Sequence, residues 1–302
     1  MIVVAGEALI DLVPEAGRGP LTPLLPARGG GPYNAAVALG RLGAEVAFCS
    51  RVSTDGFGTA LLDGLREAGV DTSPVQRGPE PTTLAAAVVG PDGSAGYTFY
   101  AEGTADRLFA DPGPLPPGTR ALLLGTCSLV LEPGASAYEA LMRREAARGT
   151  FVALDPNVRA GLIPDADAYR ARFLSWLPSV TLLKLSEEDA EWLGGSPRDW
   201  LASGPSAVVT TRGGAGLSVL TRGGAEHSVP GEGVDVVDTI GAGDTAYAAL
   251  VHGLAARGAL SADGLDALDG DAWRCVLGFA ARAAAITCSR AGAQPPYAAE
   301  LE

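Results

Sequence analysis

Short apolar runs separated by helix-length stretches recur along most of this chain, and that rhythm limits its possible folds more than any other feature. Strands of a parallel sheet buried on both faces read as near-continuous apolar runs, and each crossover between them needs a helix. The runs at 2–5, 46–50, 121–124, 151–154, 181–185 and 207–211 predict such strands. Stretches 34–42, 58–67, 135–148, 166–175 and 187–193 predict the helices between them. Three of these helices run into glycine, in ArgLeuGly 41–43, GluAlaGly 67–69 and AlaArgGly 147–149, where a left-handed residue can close a helix. The expected class is α/β, in a βαβα order.

Two segments break the rhythm. β-prone runs at 84–89 and 95–100 flank ProAspGlySer at 91–94, a turn signal between antiparallel strands. With the Pro- and Gly-rich stretch 12–28 they predict a flap inserted into the α/β body. From about residue 204 the chain turns β-rich, at 217–220 and 226–229. It then enters GlyAlaGlyAsp, a long helix over about 245–257 and an Ala-rich last helix over 272–288. With no internal repeat or low-complexity linker, residues 1–302 read as one domain, its lid drawn from about 12–28 and 82–104.

Composition then excludes whole function classes. At 302 residues and 47% hydrophobic the chain can bury a sizeable core, which rules out disorder as its main state. Its net charge is −13 and no stretch clusters Arg or Lys, so neither nucleic acid nor a membrane surface is an expected partner. No run approaches the roughly 18 apolar residues of a membrane span. The first residues carry Glu7 and Asp11 without a basic leader, so they read as a strand, and the expected location is the cytoplasm. Cys49, Cys127, Cys275 and Cys288 are far apart and read as small buried apolar residues. Of the 22 basic residues only Lys184 is a lysine.

Two glycine clusters carry the chemistry. In AspThrIleGlyAlaGlyAsp, 238–244, the glycines let the backbone N–H groups of Gly241, Ala242 and Gly243 face one concavity at a helix N-terminus, which suits a phosphate. Asp244 stands at its edge, where a carboxylate can take the proton of a hydroxyl attacking phosphorus. The plainer alternative is a tight turn followed by a helix cap. In ArgGlyGlyGlyProTyrAsn, 28–34, three glycines allow a ligand close to the backbone and Asn34 offers both donor and acceptor, as a polyhydroxylated molecule requires. The alternative there is a loop with an Asn cap.

Taken together, these two motifs make the chain resemble the ribokinase/PfkB family of carbohydrate kinases. The resemblance extends through GlyGluAlaLeuIleAspLeu 6–12, ValSerThrAspGlyPheGly 52–58, AspProAsnValArg 155–159, LysLeuSerGlu 184–187, ThrArgGlyGlyAlaGly 211–216 and ArgAlaGlyAlaGln 290–294. It implies a ribokinase-like three-layer α/β/α, Rossmann-like body with a small β-sheet lid that closes over the sugar, and a homodimer formed through that lid. It also implies ATP and Mg²⁺. Asp244 becomes the general base and Gly241, Ala242 and Gly243 the anion site, while Asp11, Gly30, Gly31 and Asn34 line the sugar pocket. Lys184 and Glu187 fall on the family's Asn-x-x-Glu segment, the first reaching nucleotide phosphates and the second orienting water around Mg²⁺. Lys in place of Asn departs from that pattern.

Thr211, Gly213 and Gly216 match the nucleotide loop, with Arg212 replacing a commoner apolar residue. Arg159 resembles an arginine near the phosphates or an acidic substrate, and its plainer alternative is a surface ion pair. Asp238 and the carbonyl of Ile240, with Thr287, Arg290 and Gly292, match a monovalent-cation loop that would hold K⁺. His227 and His252 receive no chemistry. The implied activity is transfer of the γ-phosphoryl of ATP to a sugar hydroxyl, most like fructokinase. 2-Keto-3-deoxygluconate kinase is the first alternative and ribokinase or a nucleoside kinase the next. A sugar-binding homologue that had lost catalysis would show a replaced base or a broken anion nest, and this chain has neither.

Overall fold

The computed structural model describes residues 1–15, 21–89 and 95–302. Its centre is an eight-stranded sheet in the order Glu226–Val229, Leu217–Thr221, Ala207–Thr211, Leu182–Ser186, Phe151–Asp155, Ala121–Gly125, Ile2–Ala5 and Val46–Cys49. Neighbours from Ala207–Thr211 to Val46–Cys49 run parallel, and Leu217–Thr221 and Glu226–Val229 add an antiparallel edge. Successive residues of the buried strands face opposite layers. Ile2, Val4, Leu123 and Val209 pack with Leu39, Leu61, Leu250 and Trp273 of the helices Gly31–Arg41, Gly56–Glu67, Ala242–Ala256 and Gly270–Cys288. Val3, Leu122, Val152 and Leu183 pack on the other side with Tyr138, Met142, Phe173 and Trp176 of Gly134–Ala147 and Ala166–Trp176. The result is three layers, α/β/α, and burial of each large side chain contributes about 1.5–3 kcal/mol. Among the described residues no helix is long and apolar enough to cross a membrane.

The glycine stops behave as read: Gly43, Gly69 and Gly149 have φ of 79°, 78° and 82°. Three local readings need correction. The strand expected at 181–185 is Leu182–Ser186. The helix expected from residue 34 begins at Gly31, because Pro32 has the φ of a first turn and needs no N–H there. The helix expected from residue 245 begins at Ala242, which places Asp244 inside its first turn. Cys49 and Cys127 are buried, but Cys275 is exposed and Cys288 half-exposed, since the last helix presents an outer face.

A second sheet has the order Leu24–Gly29, Leu9–Pro14, Leu84–Val89 and Ala95–Tyr100. Asp11 lies within Leu9–Pro14, opposite Ala27 on one side and Ala85 on the other, so it is a strand residue and not a turn after the first strand. The turn read at 91–94 and residues 16–20 of the Pro- and Gly-rich stretch fall outside the described residues.

Candidate active site

The strand order reverses between Ile2–Ala5 and Ala121–Gly125: the first connects onward to one side of the sheet and the second to the other. Such a switch point opens a crevice at the carboxyl ends of the strands, where α/β proteins bind ligands. Glu7, just past the first of these strands, spans the crevice. It accepts hydrogen bonds from the hydroxyls of Thr126 and Ser128, from the Ser128 amide at 3.1 Å and from the Gly31 amide at 3.3 Å. Burial pushes its carboxyl above the usual range, and the two hydroxyls pull it part of the way back. Thr126 takes φ 60°, a left-handed backbone that costs a β-branched residue about 1–3 kcal/mol and marks the crevice as strained.

A cavity of about 230 Å³ lies over this floor. Asp244 is buried in its wall and accepts from two side-chain amides, Asn34 Nδ2 at 2.9 Å and Asn157 Nδ2 at 3.3 Å. Burial raises its pKa; the Asn34 bond and the charges of Lys184 and Arg159 oppose that rise. Asp11 enters from the small sheet together with Tyr97 and Phe99. No donor among the described residues reaches its carboxylate, and burial and the nearby charge of Asp244 raise it to about 6. Gly31 must be glycine: a Cβ there would collide with the Thr126 methyl and stand 3.2 Å from Asp244 Oδ1.

The helix over Asp244 starts from Gly241 at φ 75°. The Ala242 amide points to the Thr239 carbonyl at 3.3 Å, so of the three expected amides those of Gly241 and Gly243 are left without an acceptor among the described residues. Lys184 is a strand residue. It is buried in Leu182–Ser186, its Nζ 2.6 Å from Asp155 Oδ2. Glu187 is exposed in the first turn of Glu187–Leu193.

Thr211 ends its strand and Gly213 and Gly216 form the loop after it, farther along the same sheet edge and outside the cavity wall. Arg159 does line the cavity. Its Nη1 is spent on the Asn157 carbonyl and Oδ1 at 3.0 and 2.7 Å and on the Val158 carbonyl at 3.2 Å, and it makes no ion pair among the described residues. Asp238 Oδ1 accepts from the Ile240 amide and Oδ2 from the Gly292 amide, so the loop at 238–240 is tied to the one that holds Arg290 and Gly292. The Thr287 carbonyl accepts from the Arg290 amide at 3.1 Å.

The cavity therefore gathers Asp11, Gly30, Gly31, Asn34, Arg159, Ile240, Gly241, Gly243 and Asp244, and leaves Lys184, Glu187, Thr211, Gly213, Gly216, Asp238, Ala242, Thr287, Arg290 and Gly292 outside its wall. It also contains residues that the sequence reading passed over: Glu7, Asn157 and the aromatic pair Tyr97 and Phe99. For Asn157 there was a signal. It follows Pro156 at a strand end with φ 40°, a backbone that Asn tolerates better than most residues.

Carboxylates and amides beside free N–H groups at a helix start can hold a polyhydroxylated molecule and pass a phosphoryl group to it. Comparison with known proteins gives the class. The family model for pfkB family carbohydrate kinases matches residues 1–300. The fructokinase of Rhizobium leguminosarum bv. trifolii is 38% identical over 282 residues, 91% of this chain and 86% of that one. Among solved structures, the fructokinase of Xylella fastidiosa with bound ATP superposes with a TM-score of 0.87 at 28% identity, covering 99% of this chain and 96% of the other. The fructokinase of Vibrio cholerae O395 in its fructose-, ADP- and calcium-bound form gives 0.83 at 27%, covering 99% and 97%. The chain belongs to the pfkB family of carbohydrate kinases, and its activity is ATP-dependent phosphorylation of a sugar.

Asp11 and Asp244 can accept hydroxyl protons only in their ionised forms, and both have raised pKa values. Activity should thus be complete above the raised values and fall as pH drops through about 6, the Asp11 value. A pH profile of kcat/KM checks this; an acid limb near the ordinary carboxylate value of about 4 would contradict it.

Proposed function

We propose that this enzyme is a fructokinase, transferring the γ-phosphoryl of ATP to a hydroxyl of fructose in the cytoplasm. One observation carries the preference for a neutral sugar. Among the described residues the cavity presents Glu7, Asp11 and Asp244 to its ligand, while the one cation lining it, Arg159, spends Nη1 on its own loop. Hydroxyl groups are the donors such a wall requires, and a ligand carboxylate would be repelled by it.

In this reading Asp11 accepts sugar hydroxyls and excludes analogues that lack them, because an unpaired buried acceptor is costly. Asn34 and Asn157 aim the Asp244 carboxylate, which takes the hydroxyl proton as the bond to phosphorus forms. The amides of Gly241 and Gly243 bind the charge on the transferred group. Thr211, Gly213 and Gly216 hold the nucleotide farther along the sheet edge. The exposed Glu187 suits a water-mediated hold on Mg²⁺, which would neutralise phosphate charge when bound. The tied loops around Asp238, Ile240, Thr287, Arg290 and Gly292 suit K⁺ through their carbonyls. The small sheet acts as a lid that excludes water, and its exposed Leu24, Leu25 and Tyr100 support pairing with a second copy.

A coupled ADP-release assay with fructose, 2-keto-3-deoxygluconate, ribose and a nucleoside tests the reading. Fructose should give the highest kcat/KM. Preferential turnover of the sugar acid would overturn the assignment and give Arg159 a carboxylate to hold.

A further inference from the structure

The sole lysine, which the family resemblance places toward the nucleotide phosphates, forms a buried ion pair with Asp155, a residue to which nothing above gives a role. Asp155 ends the strand Phe151–Asp155 and Lys184 lies in the neighbouring parallel strand Leu182–Ser186. The register Ala153 to Leu182 and Leu154 to Leu183 sets the two side by side. Their side chains are 3% and 4% exposed, with Nζ 2.6 Å from Oδ2. Asp155 Oδ1 is buried with no hydrogen-bond partner, and Lys184 makes no second hydrogen bond among the described residues. Gly243 lies directly over the ammonium: a Cβ built there would stand 3.5 Å from Nζ. The pair thus underlies the glycine turn from one side, while the free amides of Gly241 and Gly243 belong to the same turn.

We infer that Asp155 is a positioning residue, holding a charged Lys184 beneath the glycine nest so that its ammonium acts on the transferred phosphoryl group. The inference rests on the phosphoryl-transfer reading of the site. Replacing a buried ion pair by apolar residues is often neutral or stabilising, so stability gives no reason to keep this one. Charge under an anion site does give one. Lysine supplies a compact point charge at the end of a flexible stem, which fits the space under a residue without a side chain. Alone in the core, that ammonium would shed its proton. Asp155 supplies the counter-charge that keeps it protonated and fixes its place, touching no substrate itself. The other titratable groups coupled to the pair are Asp244 and Tyr247 from the helix Ala242–Ala256, Asp189 from Glu187–Leu193 and Tyr169 from Ala166–Trp176.

Three variants of the full chain test this: Lys184→Met, Asp155→Asn and the double replacement. Lys184→Met should lower kcat about 10²-fold, the usual effect of losing one group that stabilises transition-state charge, with the sugar KM within about twofold. Relative to wild type at the same pH, Asp155→Asn should be impaired more at pH 8.5 than at pH 7, both above the acid limb near 6 set by Asp11, because an ammonium stripped of its counter-charge is lost first at high pH. The double variant should melt like wild type yet be as slow as Lys184→Met alone, the non-additivity of residues acting as a unit. Calorimetric affinity for AMP-PNP should fall about tenfold in both single variants while that for AMP is unchanged. Wild-type kcat in the double variant, or a loss in Asp155→Asn that is independent of pH, would overturn the inference. A wild-type chain that binds AMP-PNP but phosphorylates no sugar would instead refute the proposed function, and the nucleotide affinities would still decide the role of Asp155.

Discussion

Replacing Asp244 with asparagine is expected to lower kcat by about 10²–10⁴-fold while sugar and nucleotide still bind, since the change removes a base and little else. The carboxylate is buried and its two oxygens are held by separate amides, Asn34 and Asn157. An asparagine of the same shape keeps one oxygen for the Asn34 amide, so the wall of the cavity persists. What disappears is the one acceptor among the described residues that combines burial, a raised pKa and a place in the first turn beside the Gly241 and Gly243 amides. Sugar binding by calorimetry, set beside kcat, separates loss of chemistry from loss of the pocket. A variant within tenfold of the wild-type rate would remove Asp244 from the role of base.

Gly241→Ala should be nearly as damaging, for a different reason. Gly241 caps the helix at φ 75°, and the left-handed backbone costs an L-residue about 1–2 kcal/mol. An added Cβ would also come 2.6 Å from Ala293 Cβ and 3.0 Å from its Cα. The turn must then shift, and the shift moves the two free amides off the position that the phosphoryl oxygens occupy. Loss of one such donor typically lowers kcat 10²–10³-fold. Melting temperature and kcat measured together should show a modest stability loss and a much larger rate loss. A variant that lost only stability would make the turn a cap and nothing more.

The fold was largely legible in the sequence because a sheet buried on both faces imposes apolar runs such as Ile2–Ala5 and Phe151–Asp155 that little else produces. Helix starts were less legible. The helices Gly31–Arg41 and Ala242–Ala256 begin earlier than periodicity suggests, because glycine and proline at the first turns carry no amphipathic signal. Within the site, Asn34 and Asp244 stood out beside their glycines, yet they are 210 residues apart and only the fold joins them by a hydrogen bond. Glu7 and Asp155 were hidden: each reads as an ordinary acidic residue at a strand end, and their burial depends on neighbours more than a hundred residues away for Glu7 and 29 away for Asp155. Lys184 was noticed for its rarity, but its burial could be learned only from the strand register.

Asp11, Tyr97 and Phe99 ride on the small sheet, whereas Asp244 and Asn157 belong to the three-layer body. If the small sheet closes as the proposed lid, it brings Asp11 toward Asp244, and like-charge repulsion opposes that closure until a ligand supplies proton donors. A sugar's hydroxyls are the donors that remove this opposition. In the proposed reading the pocket is thereby its own gatekeeper: the molecule to be phosphorylated is also the one whose hydroxyls favour closure.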